Sequence, residues 1–391
     1  MDRVYLDHNA TTPLRPEARE AMLRAMDVVG NPASVHAEGR SAKGLVEAAR
    51  AQVAALVGCG RNQVIFTGSA TEAAALAVAQ KGRHGGRFAA LPTEHDCFYD
   101  WTEAALPAAH GRGGGLDGHG FGEVMNWIMA GAPSTWSNLH NDAGLIAMSA
   151  ANSETGVMLP EGRVAGNHHV NSSGQGTVPY SVVSDITQVA GKAPVHYNSG
   201  KPSYMILSAH KLGGPKGVGA LINFTSEDPA PILKGGGQEM GRRSGTENVI
   251  GIAGFGAAAE AAQRDVEVGA WVRIEKLRNI LEISLAEISP STIFVGKDAD
   301  RLPNTSCFIT PGWKGETQVM QMDLAGFAIS AGSACSSGKV KESRVLRSMG
   351  FGDGAACAVR VSLGLETTED EIRAFVAAWG KSFEKHKARA A

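Results

Sequence analysis

The chain has 391 residues, with 37 basic against 39 acidic side chains and a formal charge of −2, which suits a globular protein large enough for two domains. Near-neutral charge without a long basic stripe argues against nucleic acid or an anionic membrane as the main partner, and no apolar run approaches the ~18 residues of a transmembrane helix. The opening Met1-Asp2-Arg3-Val4 has no basic region ahead of an apolar stretch, so the expected location is cytoplasmic.

Taken in chain order, Ala18, Met22, Met26 and Val29 share one face of a helix that opens at Pro16 and ends at Gly30. A second helix is expected from about Ala42 to Val57. Val64-Ile65-Phe66, a Gly68-Ser69 turn and a helix opening at Ala70-Thr71-Glu72 then read as the strand, turn and helix of a mostly parallel sheet. Buried strands are expected at Leu145 to Met148, Ser181 to Val183, Tyr204 to Leu207 and Val218 to Ile222. An alanine-rich helical region runs from about Gly251 to Ile288. Strands follow at Ile293 to Val295, Ser306 to Ile309, Phe327 to Ser330 and Ala358 to Ser362, and a last helix opens on the capping box Thr368/Glu371. Residues 107–122 and 161–177, rich in Gly with His or Asn and Ser, are expected to be loops.

The fold class is α/β: a large domain with a mostly parallel mixed sheet flanked by helices (16–258), and a smaller α+β domain from 1–15 and 259–391. Glycine, 49 residues, is well above the average of roughly 7%, so many turns and close backbone approaches are expected. The five cysteines are odd in number and never spaced Cys-x-x-Cys, which indicates neither a disulfide framework nor a zinc ribbon and leaves at least one thiol free.

Ser208-Ala209-His210-Lys211, followed by Leu212-Gly213-Gly214-Pro215-Lys216-Gly217, stands directly after an apolar run. A lysine-bearing loop at a strand's end is where α/β folds place ligands. Ser208 and Lys211 also spell the Ser-x-x-Lys of penicillin-binding enzymes, but no Lys-Thr-Gly accompanies them and Ser184-Asp185 is followed by Ile186. Asp185-Ile186-Thr187-Gln188 emerges after another β run, where Asp185 reads equally as a cap.

These pieces, with Tyr5 to Pro13, Gly30 to His36, Ala70-Thr71, Thr93-Glu94-His95, Glu154-Thr155-Gly156, Arg243-Ser244-Gly245-Thr246, Gly332-Ser333-Ala334-Cys335-Ser336-Ser337 and Arg360 to Gly364, form an ordered set over nearly the whole chain. The set resembles the NifS/IscS-type cysteine desulfurases, in the class V aminotransferase group of fold-type I pyridoxal phosphate enzymes.

The resemblance implies pyridoxal 5′-phosphate as cofactor, bonded to Lys211. A lysine with a pKa near ~10.4 would otherwise cost more than ~4 kcal/mol to keep neutral at pH 7. It implies that Asp185 pairs with the pyridine nitrogen, that Gln188 contacts the ring hydroxyl, and that His95 stacks on the ring and moves protons. The phosphate falls to Ala70, Thr71, Ser208 and His210, with Thr246 arriving from the neighbouring subunit of a homodimer. Substrate binding falls to Asn152 and Arg360, and Arg360 either holds the substrate α-carboxylate or makes a structural ion pair.

Cys335, in a small-residue hydrophilic segment, is the thiol implied to take sulfur from L-cysteine, leaving L-alanine, and to pass it to an iron-sulfur scaffold or another acceptor. A selenocysteine lyase or cysteine C–S lyase on the same fold, and a non-catalytic partner-binding relative, are the alternatives. The chain departs from the family in Gly68-Ser69, where the order is Ser-Gly, and in Asn152-Ser153, where two asparagines are usual and the second reaches the cofactor. It also departs in the segments 107–140 and 160–180.

Overall fold

The computed structural model describes residues 3–102, 144–159, 168–171, 177–195, 200–331 and 342–390. The elements are β1 (Val4–Tyr5), α1 (Pro16–Met26), α2 (Ala37–Val57), β2 (Val64–Thr67), α3 (Ala70–Val78), β3 (Phe88–Ala90), α4 (Asp96–Tyr99) and β4 (Leu145–Ser149). They continue with β5 (His168–Asn171), β6 (Thr177–Asp185), β7 (Tyr204–Ser208), β8 (Gly219–Asn223), α5 (Val249–Glu267) and α6 (Trp271–Ile288). The chain closes with β9 (Ile293–Phe294), β10 (Thr305–Ile309), α7 (Gly315–Leu324), β11 (Phe327–Ala328), β12 (Ser330–Ala331), α8 (Arg344–Ser348), β13 (Ala358–Ser362) and α9 (Glu369–Ala390). Among the described residues no helix is long and apolar enough to cross a membrane.

The large sheet has the order β2-β8-β7-β6-β4-β3, with β5 beside β6. The pairs β3/β4, β4/β6 and β6/β7 are parallel, whereas β8 runs antiparallel to both β7 and β2. Five strands therefore point the same way and deliver their carboxyl ends to one edge, the position where such sheets hold ligands. Buried residues of α2, α5 and β7 pack one face, and those of α3 and Phe98 the other. The second sheet, β12-β13-β10-β9, is antiparallel and packs on α6, α7 and α9 around Phe308, Trp313 and Trp379.

Helix ends follow the local chemistry. Pro16 opens α1, Gly58 closes α2 at φ 68, and Thr368 and Glu371 exchange the reciprocal bonds of a capping box at α9. The helical region after Gly251 is two helices, broken at Gly269 with φ 69. The strand expected at Phe327 to Ser330 divides, because β11 pairs with β1 and β12 with β13.

The loop expected at 161–177 contains β5, which pairs antiparallel with the first half of β6, Asn171 opposite Thr177 and His168 opposite Tyr180. Pro179 lacks a donor, but among the described residues its half of β6 is paired on one side only, by β5, as at a sheet edge. The segment 107–122 lies outside the described residues.

One buried ion pair secures the strand that leads into α3. Arg50 on α2 makes two 2.8 Å bonds to Glu239, which also accepts from Phe66 N–H on β2. Glu239 and Met240 have φ of 49° and 58°, strained for residues with side chains. Both charges are buried, so removing one strands the other. Glu239→Ala is expected to cost about 3–5 kcal/mol, seen as a lower denaturant midpoint. Arg50→Met combined with Glu239→Met should recover much of that loss.

Candidate active site

A single cleft opens at the carboxyl edge of the large sheet. Its lining brings together Lys211, Asp185, Gln188, Ser208, His210, Ala70, Thr71, His95, Ser153 and Arg360, with Asn9, Ser69, Thr93, Cys97, Ser149, Ala151 and Thr187 between them. The convergence follows from topology. Asp185 ends β6, Ser208 ends β7, Ser149 ends β4, and the turn carrying His95 follows β3.

At one end α3 begins. Ser69 caps it, its Oγ accepting from Glu72 N–H, so the exchanged Gly68-Ser69 order puts a hydroxyl at the cap position. The first amides of a helix, here at Ala70 and Thr71, have no intrahelical acceptor and favour an anion. A Cβ at Gly219 would stand 2.6 Å from Ser69 C and 2.8 Å from Ala70 N, so glycine on β8 is what lets the helix start sit this close to the sheet. Glu72 binds Gly68 N–H and forms an ion pair with Arg243 at 2.8 Å.

Across from the helix start stand Ser208 and His210. His210 Nδ1 lies 3.2 Å from Thr11 Oγ1, and burial, then Lys211 and Lys216, push its pKa down to about 4, so the ring is neutral at pH 7. Lys211 Nζ donates to the carbonyls of Asn9 at 2.8 Å and Ala10 at 2.7 Å.

Asp185 Oδ1 accepts from Thr187 N–H at 2.8 Å, the cap reading of the sequence, while its carboxylate also lines the cleft. Gln188 donates to Asn9 O and accepts from Lys192 Nζ. His95 caps α4 and its Nδ1 accepts from Cys97 N–H, which leaves the proton of the neutral ring on Nε2.

Arg360 makes the ion pair that was one of its two readings, and it also lines the cleft. Its Nη2 pairs with Asp7 at 2.8 Å and its Nη1 donates to Ser153 O, while Nε is buried with no hydrogen-bond partner. Asn152 does not line the cleft. Its Oδ1 accepts from Glu154 N–H, Thr155 N–H and the Thr155 hydroxyl, and its Nδ2 donates to Thr93 O, so the amide builds the turn behind Ser153. Thr246 lines a separate cleft with Arg243 and Glu247. Cys335 lies outside the described residues.

Four groups escaped the sequence reading. Asn9 and Lys192 stand behind Lys211. Glu94 accepts from the amide and hydroxyl of Ser149, and Arg344 donates to Glu94 O and Asp96 while lying 3.7 Å over the Tyr99 ring. Glu94 lies within Thr93-Glu94-His95 and Asn9 within Tyr5 to Pro13, motifs that were signals for them; nothing local marks Lys192 or Arg344.

Burial raises Glu94 from the usual carboxylate range to about 7. The folded state thus keeps a proton that the unfolded chain releases near 4.5, so stability falls as pH rises from about 4.5 to about 7. Glu94→Gln keeps both Ser149 contacts without an ionisable proton. Thermal unfolding midpoints of the two proteins should coincide near the lower limit of that window and separate above its upper limit, the variant then standing higher by a few degrees.

A family model described as aminotransferase class-V matches residues 4–375. A cysteine desulfurase of Frankia sp. (strain EuIK1) is 38% identical over 386 residues, spanning 95% of this chain and 88% of that one. The IscS-like cysteine desulfurase of Mycobacterium tuberculosis (strain ATCC 25618 / H37Rv) is 34% identical over 391 residues, spanning 95% and 93%. A solved NifS-like protein from Rickettsia africae ESF-5 is 28% identical with a TM-score of 0.78, covering 98% of this chain and 99% of that one. With the family model extending over nearly its whole length and relatives of this identity matching it end to end, the chain belongs to the class-V aminotransferase family.

Proposed function

We propose that this protein is a pyridoxal 5′-phosphate-dependent cysteine desulfurase that converts L-cysteine to L-alanine and receives the sulfur on Cys335. The family is pyridoxal phosphate-dependent. The observation that carries the reading is the meeting, in one cleft, of an amine (Lys211), a carboxylate (Asp185) and the open amides of a nine-residue helix (Ala70, Thr71). That donor set matches an aldehyde, a basic ring nitrogen and a phosphate dianion.

When bound, the cofactor supplies an electron sink for the charge released at the substrate Cα. The residues around it have separable tasks. Ala70, Thr71, Ser208 and neutral His210 would hold the phosphate, and Asp185 would keep a proton on the ring nitrogen. Gln188 and Ser153, which line the same cleft, would contact the ring hydroxyl. Lys211 Nζ, an amine lining the cleft, would take the Cα proton, and His95 Nε2 would serve proton transfer. Arg360 Nε, the buried donor without a partner, would receive the α-carboxylate.

In the transfer, the Cys335 thiolate bonds to the substrate sulfur and the Cβ–S pair passes to the substrate carbon, which takes up a proton. Overall, L-cysteine and a thiol become L-alanine and a persulfide. Three of the described cysteines support this assignment by their own unsuitability: burial pushes the thiols of Cys59 and Cys307 up to about 12 and raises that of Cys97, which lines the cleft.

Thr246, in a cleft of its own, fits a homodimer in which each subunit lends it to its partner's phosphate. In this reading 16–258 is the cofactor domain, 1–15 with 259–391 the smaller one. The protein acts in the cytoplasm and hands sulfur to an iron-sulfur scaffold or comparable acceptor.

The purified chain, loaded with cofactor and given L-cysteine, is expected to form alanine and to carry a persulfide that mass spectrometry maps to Cys335; borohydride reduction should fix the cofactor to Lys211. Lys211→Ala should remain colourless. Cys335→Ala should stay coloured and lose the persulfide. Alanine without label on Cys335 would indicate a lyase, and no alanine would overturn the enzymatic reading.

A further inference from the structure

The turn that carries His95 cannot hold itself. Leu91 to Glu94 follow β3, and His95 caps α4, a helix of four residues. A single helical turn has too few internal hydrogen bonds to be stable alone, so the position of His95 depends on its neighbours. Some of them belong to the large sheet: Glu94 accepts from Ser149, Asn152 Nδ2 donates to Thr93 O, and Phe98 is buried beside Phe88.

A further hold comes from a side chain distant in sequence. Arg344 donates through Nη1 to Pro92 O, through Nη2 to Glu94 O at 2.7 Å and to Asp96 Oδ1 at 2.7 Å, and its guanidinium lies 3.7 Å over the Tyr99 ring. The residues before and after His95 are thus held by one planar group. A guanidinium suits this task, because its donors lie in one plane whose face is left to stack on an aromatic ring.

Arg344 is itself well anchored. It is the first residue of α8, whose cap Ser343 accepts from Leu346 N–H through Oγ at 3.0 Å. Val345 and Leu346 are buried in one cluster with Ala89 and Leu91, which precede the turn, and with Ile146 and Met148 of β4. The same apolar cluster therefore fixes both sides of the Arg344 contact. His95 is in turn locked to α4, its Nδ1 accepting from Cys97 N–H and its carbonyl from Phe98 and Tyr99 N–H. A shift of α4 would carry the imidazole with it, and a misplacement of about 1 Å at a reacting group can cost on the order of 10²-fold in rate.

We propose that Arg344 is a positioning residue for the reaction: by gripping Glu94 O, Asp96 and Tyr99 it holds the His95 ring at the cleft wall for proton transfer. The proposal rests on the reading of His95 given above. Arg344 does not line the cleft, so it acts through His95 and not on substrate or cofactor.

The test compares the full-length chain with Arg344→Met, which keeps an apolar stem over Tyr99 and loses every donor. Hydrogen–deuterium exchange, with and without pyridoxal 5′-phosphate, should be about tenfold or more faster at the amides of Cys97, Phe98 and Tyr99 in the variant and unchanged in α3 and β7. In the cofactor-loaded enzyme the saturating single-turnover rate of alanine formation should fall on the order of tenfold, with the half-saturating L-cysteine concentration changed less than about twofold. Arg344→Lys, a point charge that cannot span the same acceptors, should recover only part of that loss. Arg344→Met combined with His95→Gln should be no slower than His95→Gln alone.

Unchanged exchange at the three amides overturns the proposal. So does an unchanged rate, or a double variant slower than His95→Gln by the full Arg344→Met factor. If Arg344→Met does not fold, Arg344→Lys decides by the same exchange and rate comparison. His95→Gln with an undiminished rate would instead defeat the role given to His95 above, and exchange at the three amides would then decide whether Arg344 holds the turn.

Discussion

Positive charge concentrated at the seam between two sheets governs the rest of the site. Burial, then the charges of Lys211 and Arg360, lower the pKa of Lys192, yet the three cations are held differently. Arg360 is paired with Asp7, Lys192 rests on amide oxygens, and Lys211 donates to two main-chain carbonyls. Neutral acceptors satisfy hydrogen bonds without cancelling charge. The seam thus stays attractive to anions.

Asn9 makes this arrangement possible. Its N–H donates to Ser362 Oγ on β13, its Nδ2 to Thr305 Oγ1 on β10, and its Oδ1 accepts from Asn304 and Lys192, while its carbonyl serves Gln188 and Lys211. The N-terminal segment is therefore the joint between the small sheet and the turn after β6. Aspartate, of similar shape, could not donate to Thr305, and its charge would neutralise Lys192. The position requires an amide for both reasons.

The fold was legible where the signal was local. Pro16, the Thr368/Glu371 box and the β-branched run Ala358 to Ser362 each mark an element that the structure has at the expected place. The α7 helix was missed because it begins at Gly315, where a Cβ would stand 2.2 Å from Ala358 O, and because Met320 and Leu324 are exposed rather than part of a buried stripe. The hairpin of β5 and β6 was masked by Pro179 and by the glycines between its strands. Within the site, residues at the ends of parallel strands were readable because strand ends and ligand edges coincide in such sheets. Lys192 was not, since a lysine is ordinarily a solvated charge, and its acceptor Asn9 is 183 positions away.

Described residues on either flank of 332–341 are tied to Arg360. Ser330, just before it, donates to Asp7, the partner of Arg360. Ser343, just after it, donates to Glu154, whose neighbour Ser153 accepts from Arg360 through its carbonyl. Burial raises Glu154 to about 7, so near neutral pH this second anchor exchanges between a charged and an uncharged acceptor. Arg344 then ties the following helix to the turn that bears His95. Arg360, which orients Asp7 and the Ser153 turn, is thus joined through hydrogen bonds and one ion pair to the described residues on both flanks of 332–341.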